Sequence, residues 1–96
     1  MRRDALVIKR QDNVATAIRD IPAGKAAAVG IAEENMTVRV SQDIPLGHKL
    51  ALRHIQSGED ILKYGTVIGR ATRDILPGEH VHVHNVESTR GRGDLA

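Results

Sequence analysis

The sequence predicts an all-β domain, and three observations predict it. No window of eleven or more residues carries a helical period free of Gly or Pro. Several short runs instead alternate apolar and polar residues with a period of two. One turn element also recurs: Ala17-Ile18-Arg19-Asp20-Ile21-Pro22-Ala23-Gly24 returns as Ala71-Thr72-Arg73-Asp74-Ile75-Leu76-Pro77-Gly78. It returns again as Ala51-Leu52-Arg53-His54-Ile55-Gln56-Ser57-Gly58, and in part as Gln42-Asp43-Ile44-Pro45-Leu46-Gly47. Pro holds φ at about −65° and Gly accepts positive φ, so each copy closes a turn while its Ile drops into the core. The unequal spacing of the copies excludes a solenoid.

The elements follow in order. Strands are expected over residues 5–9, 13–18 and 26–31. In the next run Met36, Val38 and Val40 take one face and Thr37, Arg39 and Ser41 the other. Further strands are expected over residues 48–53, 66–72 and 79–84, and residues 57–62 (Ser-Gly-Glu-Asp-Ile-Leu) are expected to hold one helical turn. The domain is placed at residues 1–86, followed by a polar, Gly-containing tail at 87–96 that is expected to fray.

Composition narrows the function. The chain has 96 residues, 41% of them hydrophobic and almost all aliphatic, so the core is thin. With no Cys, disulfide frameworks, thiolate metal sites and thiol nucleophiles are excluded. Tyr64 is the sole aromatic residue and the net charge is only +2, which argues against a base-stacking or polyanion-binding surface. The apolar stretch 5–8 is too short for an export signal and 26–32 too short to span a bilayer, so a cytoplasmic chain is expected.

The chemistry concentrates in the second half, where all five histidines lie. Three occur in Glu79-His80-Val81-His82-Val83-His84-Asn85; on a strand they share one face, with Val81 and Val83 toward the core. They suit a metal or acid–base cluster, or else a solvated edge. Same-face neighbours on one strand stand roughly 7 Å apart, so three in a row cannot all ligate one ion. Gly47 delivers His48 and Lys49 to opposite faces at the start of a strand. This pair suits an anionic substrate, with Lys as carboxylate partner and His as ligand or proton donor. In Lys63-Tyr64-Gly65-Thr66-Val67-Ile68-Gly69 the glycines match no phosphate-binding loop, and Tyr64 is either core filler or an anchor. His54, in place of the Asp of the other copies, reads as a turn-capping residue.

These motifs together carry a resemblance. Ile44-Pro45-Leu46-Gly47-His48-Lys49 with Ala51-Leu52, then Lys63-Tyr64-Gly65 with Val67-Ile68-Gly69, then Gly78 to Asn85, follow an Asp12-Asn13-Val14-Ala15 opening. In this order they resemble the N-terminal SAF-type domain of the altronate/galactarate dehydratase family of sugar-acid lyases, from about residue 4 to residue 94. The resemblance implies a β-clip fold and a much larger catalytic region, fused or separate; a chain ending at Ala96 is similar to the separate small-subunit form. It implies loss of water from an aldonic or aldaric acid with a divalent metal, iron or manganese. A close branch instead releases sulfite from sulfolactate, also with a small subunit. On this basis His48 and Lys49 are the expected catalytic residues, at an interface with the large subunit. Tyr64 and Asn85 join them in substrate binding, and His82 and His84 are the expected metal ligands. The expected partners are that large subunit and a sugar acid, with neither nucleic acid nor membrane; self-association is compatible. The competing class is a stand-alone SAF-type carbohydrate-binding module.

Overall fold

A computed structural model describes residues 2–88, and among them there is no helix. The strands are β1 (Ala5–Val7), β2 (Val14–Ala17), β3 (Ala26–Ile31), β4 (Glu34–Arg39), β5 (Lys49–Ala51), β6 (Asp60–Lys63), β7 (Thr66–Ala71), β8 (His80–Val81) and β9 (Val86–Glu87). The all-β expectation is met. The helical turn expected over 57–62 is not: Asp60 to Lys63 pair with β7, because Ile61 is needed in the core and the Asn13 side chain holds the strand's outer edge. Glu87, expected in the tail, pairs with Arg70 of β7, and residues 89–96 lie outside the described residues.

One sheet has the order β4-β3-β1-β2-β5-β8, the other β6-β7-β9. Only β1 and β3 run parallel; every other pairing is antiparallel. The larger sheet is a wall between two cores. Ala15 opposite Leu50 faces the first core, with Ile21, Val29, Val40 and Ile44. Val14 opposite Ala51 faces the second, with Ile55, Ile61, Ile75 and Val81. Alanines at 5, 15, 17, 27 and 51 make that wall thin, and Ile and Val fill both sides without an aromatic ring.

The recurring turns work in two pairs. In the first, Ile21 and Ile44 exchange backbone hydrogen bonds, Gly24 N–H donates to Val40 C=O, and Gly47 N–H donates to Ala17 C=O. In the second, Ile55 and Ile75 do the same, with Gly58 N–H on Ala71 C=O and Gly78 N–H on Ala51 C=O. Asp side chains complete the first pair reciprocally: Asp43 accepts from Ala23 N–H and Asp20 from Leu46 N–H, both at 2.8 Å. In the second, Asp74 accepts from Ser57 N–H, but the equivalent donor opposite His54 is Pro77, which has no N–H. An Asp at 54 would find no donor there, and His54 instead sits 3.7 Å from the Asp74 carboxylate.

A second substitution rule follows. After Ile, the first turn pair carries Pro22 and Pro45, whereas the second carries Gln56 and Leu76, whose N–H groups need acceptors. The side chains of Glu59 and Glu79, three residues on, supply them at 2.9 and 2.8 Å. In the Pro turns that position is free of the duty, and it is occupied by Lys25 and His48. Local turn chemistry thus releases position 48 for another use.

Two buried polar residues tie the sheets together. Asn13 accepts from Leu62 N–H and donates to Asp60 C=O, while Asp12 accepts from Lys9, Tyr64 and Gly65 N–H groups. Tyr64 and Gly65 have φ of 58° and 72°, the tight hairpin turn in which both central residues are left-handed. Asn13→Ala leaves a donor and an acceptor of β6 without partners and is expected to cost about 2–4 kcal/mol by urea denaturation. Glu59→Ala is expected to cost about 1 kcal/mol alone and markedly less in a Gln56→Pro background; a double-mutant cycle with no coupling would refute the substitution rule.

Candidate functional site

The strand expected over residues 79–84 stops after Val81. Val81 is fully buried as expected, but Val83 is 81% exposed rather than facing the core. The cause is Asn85, which is buried: its Oδ1 accepts from His82 N–H, its Nδ2 donates to His80 C=O, and its own N–H donates to His82 C=O. This curls residues 82–85 into a turn and folds the imidazoles back on one another. His80 N–H is held in addition by the Gln42 side chain at 2.9 Å.

His48 enters from the facing segment. Its backbone is held at both ends, N–H to Pro45 C=O and C=O to Ala17 N–H, and Leu50 two residues on pairs with His80. His48 Nδ1 lies 2.8 Å from His80 Nε2, so one ring donates and the other accepts. The rings of His48 and His82 stack with centroids 4.1 Å apart, and those of His80 and His82 lie 5.5 Å apart. One nitrogen from each of His48, His80 and His82 falls within 4.8 Å of the other two. The third donor that a single strand cannot supply therefore comes from His48, the residue just before β5. Of the expected metal pair, His82 is in this group; His84 is outside it, its ring tilted against His80 at 5.2 Å.

Lys49 points to the other face, as the alternation requires, and lines a cavity of about 190 Å³ with Ile68, His82, Val83, Val86 and Ser88. His82 thus borders both the imidazole cluster and the lysine cavity. Burial, and then the nearby Lys63 ammonium, push the Lys49 amine below its ordinary value. Burial likewise lowers His80 and His82, and the neighbouring imidazoles and Lys49 push the same way. Neutral rings with available lone pairs are the form that binds a metal.

An imidazole cluster next to a half-buried lysine occurs on many folds, and comparison with known proteins identifies the family. The family model of the altronate/galactarate dehydratase SAF domain matches residues 3–89. The chain belongs to that family. This SAF domain is 45% identical over 82 residues to altronate dehydratase of Bacillus subtilis (strain 168), covering 84% of this chain and 16% of that protein. It is 44% identical over 77 residues to altronate dehydratase of Escherichia coli (strain K12), covering 80% of this chain and 15% of that protein. The chain therefore spans about one-sixth of the length of these relatives. It is also 39% identical over 75 residues to the (2R)-sulfolactate sulfo-lyase subunit alpha of Chromohalobacter salexigens, covering 76% of this chain and 80% of that subunit.

The other residues singled out in the sequence are distributed differently across the SAF domain. Asn85 spends its amide on the turn backbone and positions His80 and His82. Tyr64, 53% exposed, stands at the β6–β7 tip, with the Lys63 ammonium 4.8 Å from its ring centroid. Gln42 carried no signal in the sequence, since its contact with His80 spans 38 residues.

The pH dependence has a definite sign. His80 and His82 lie below their ordinary value of 6.5 when folded, so on acidification the unfolded chain takes up protons first. Stability of the metal-free domain is expected to be level above about pH 6.5 and to fall as pH drops through the folded values. His80→Gln should flatten that fall in urea titrations across pH 5–8.

Proposed function

We propose that this SAF domain serves as the small component of a divalent-metal-dependent hydro-lyase that removes water from a sugar acid such as altronate, at a site shared with a large catalytic subunit. The observation that carries the reading is the convergence of His48, His80 and His82 next to Lys49, in a domain whose relatives include altronate dehydratases. The donor set fits a metal. It offers three nitrogens, no carboxylate joins it among the described residues, and the chain has no Cys. Imidazole donors suit iron better than manganese, which favours oxygen ligands, so iron is the better match of the two expected ions.

When bound, such a cation would act as a Lewis acid that stabilises negative charge developing beside the substrate's carboxylate during loss of the α-proton. The chain's own residues do the rest. His48, His80 and His82 would hold the cation, and Asn85 and Gln42 fix the backbone that aims two of these rings. Lys49, turned to the other face of its strand, meets the acid group of the substrate. A cavity with so few lining residues and an exposed Val83 at its edge leaves surface for the large subunit to cover, and covering it would exclude water.

A second reading, the alpha subunit of a sulfolactate sulfo-lyase, is favoured by one observation: the match covers 80% of that subunit. The leaving group separates the two. Reconstitution with a large lyase subunit and added Fe²⁺ is expected to release water from altronate, and sulfite release from sulfolactate would select the second reading. His48→Ala should lower kcat/KM at least about 100-fold, since even outer partners of metal ligands are worth about 10–100-fold. Full activity of that variant would sink the assignment.

A further inference from the structure

Leu6, Thr16 and Lys49 stand directly opposite one another across β1, β2 and β5, so their side chains share one face of the larger sheet. That face is covered at one end. Val14 and Ala51, each two residues from this row, pack into the second core. Leu6, Ile8, Thr16 and Ile18 belong to neither core, and with Tyr64 they line a hollow of about 130 Å³. Ile8, Ile18 and Tyr64 are all exposed there, so the chain's sole aromatic ring is spent on the surface while both cores are filled without one. The ring is also held in place. Tyr64 takes a left-handed φ of 58°, its N–H and that of Gly65 donate to the Asp12 carboxylate, and the Lys63 ammonium lies 4.8 Å from the ring centroid.

A fixed aromatic beside two exposed isoleucines has the make-up of an interface anchor. The hollow takes one side chain, whereas small-molecule pockets run to about 300–1,000 Å³, so its occupant is a protein surface with a projecting apolar residue. Lysines border it: Lys9 lies along Gly65, Lys63 lies on the ring, and Lys49 is opposite Thr16. A second copy related by a two-fold axis would bring these lysines toward their own counterparts, like charge to like. A partner with carboxylates around its apolar projection fits instead. The row runs through Lys49 into the cavity edged by exposed Val83, so a surface seated in the hollow extends over the imidazole and lysine site. We propose that Leu6, Ile8, Ile18 and Tyr64 form the docking face for the large lyase component, with Tyr64 as its anchor. Most of each altronate dehydratase relative lies outside the matched segment, which agrees with a large body packed against this domain. The identity of the partner rests on the proposed lyase function; the docking face itself rests on the uncovered sheet and its pinned ring.

The test is photo-cross-linking of the full chain in cells of its native host, with p-benzoylphenylalanine placed at position 18, 64 or 76. Leu76 is equally exposed but lies on a turn away from the hollow's lining, so position 76 is the control. Products at 18 and 64, and not at 76, are expected, with mass spectrometry identifying the captured chain as a large dehydratase or sulfo-lyase subunit. Capture of a second copy of this chain, of lipid or of an unrelated protein overturns the docking face, as does equal capture at 76 or none at all. With the purified complex, Ile18→Lys is expected to raise the Kd for the large subunit at least tenfold and Leu76→Lys less than twofold. Tyr64→Asn, which keeps a residue tolerant of the left-handed backbone, should weaken assembly in the same direction with an unchanged amide spectrum elsewhere. An active complex whose assembly ignores both Ile18→Lys and Tyr64→Asn overturns this inference and leaves the lyase reading standing. A complex that depends on these residues but releases neither water from altronate nor sulfite from sulfolactate does the reverse.

Discussion

Two pairs of turns hold this domain in shape, and each pair is a reciprocal arrangement around buried isoleucines. Ile21 meets Ile44 and Ile55 meets Ile75, each pair exchanging backbone hydrogen bonds while the glycine of one turn donates to the strand that leads into the other. Because each turn sets the start of an outgoing strand, the pairs fix where β3, β5, β6 and β8 begin. His48 and His80 both sit at such starts, immediately after the glycine-containing turns, and their separation is a consequence of this bracing. A turn that shifted would carry an imidazole with it. Gly78 shows how little room there is: its φ is 85°, and a Cβ there would overlap the Arg39 carbonyl.

The thin, alanine-walled double core has a functional consequence. Two small apolar clusters share one sheet as a partition, and neither is large. Chemistry is pushed to the rim, where β5 and β8 meet and side chains of opposite orientation come within reach of one cavity. His48 and His80 lie on one side of the rim and Lys49 on the other, with His82 bordering both. The curated dehydratase relatives of this family are about five times as long as this chain.

Polar side chains, three of them buried, organise that rim. Asn85 stops β8 and folds His82 back, Gln42 anchors His80, and Asp12 with Asn13 fastens the hairpin that carries Lys63 and Tyr64. Each satisfies backbone groups that would otherwise lose their partner within the chain, so their removal disturbs both the fold and the placement of the site. Metal-binding potential and stability are therefore coupled through a few amides and one carboxylate.

Much of this was legible in the residues. The four turns, their isoleucine anchors, the strand order along the chain and the opposite orientation of His48 and Lys49 all follow from Pro, Gly and a period of two, which are local properties. The helical turn over 57–62 and the long strand over 79–84 were misread because Asn13 and Asn85 act there through side-chain hydrogen bonds that periodicity does not register. The replacement of Asp by His54 became intelligible only once Pro77 stood opposite it, 23 residues away in the chain. Sequence alone determined that this is a small cysteine-free β domain whose histidines and lysines must carry any chemistry. Tertiary structure decided which turns pair and that His48 completes a triad with His80 and His82. Those are contacts between distant segments, set by core packing and by which backbone groups need partners, and no local pattern encodes them.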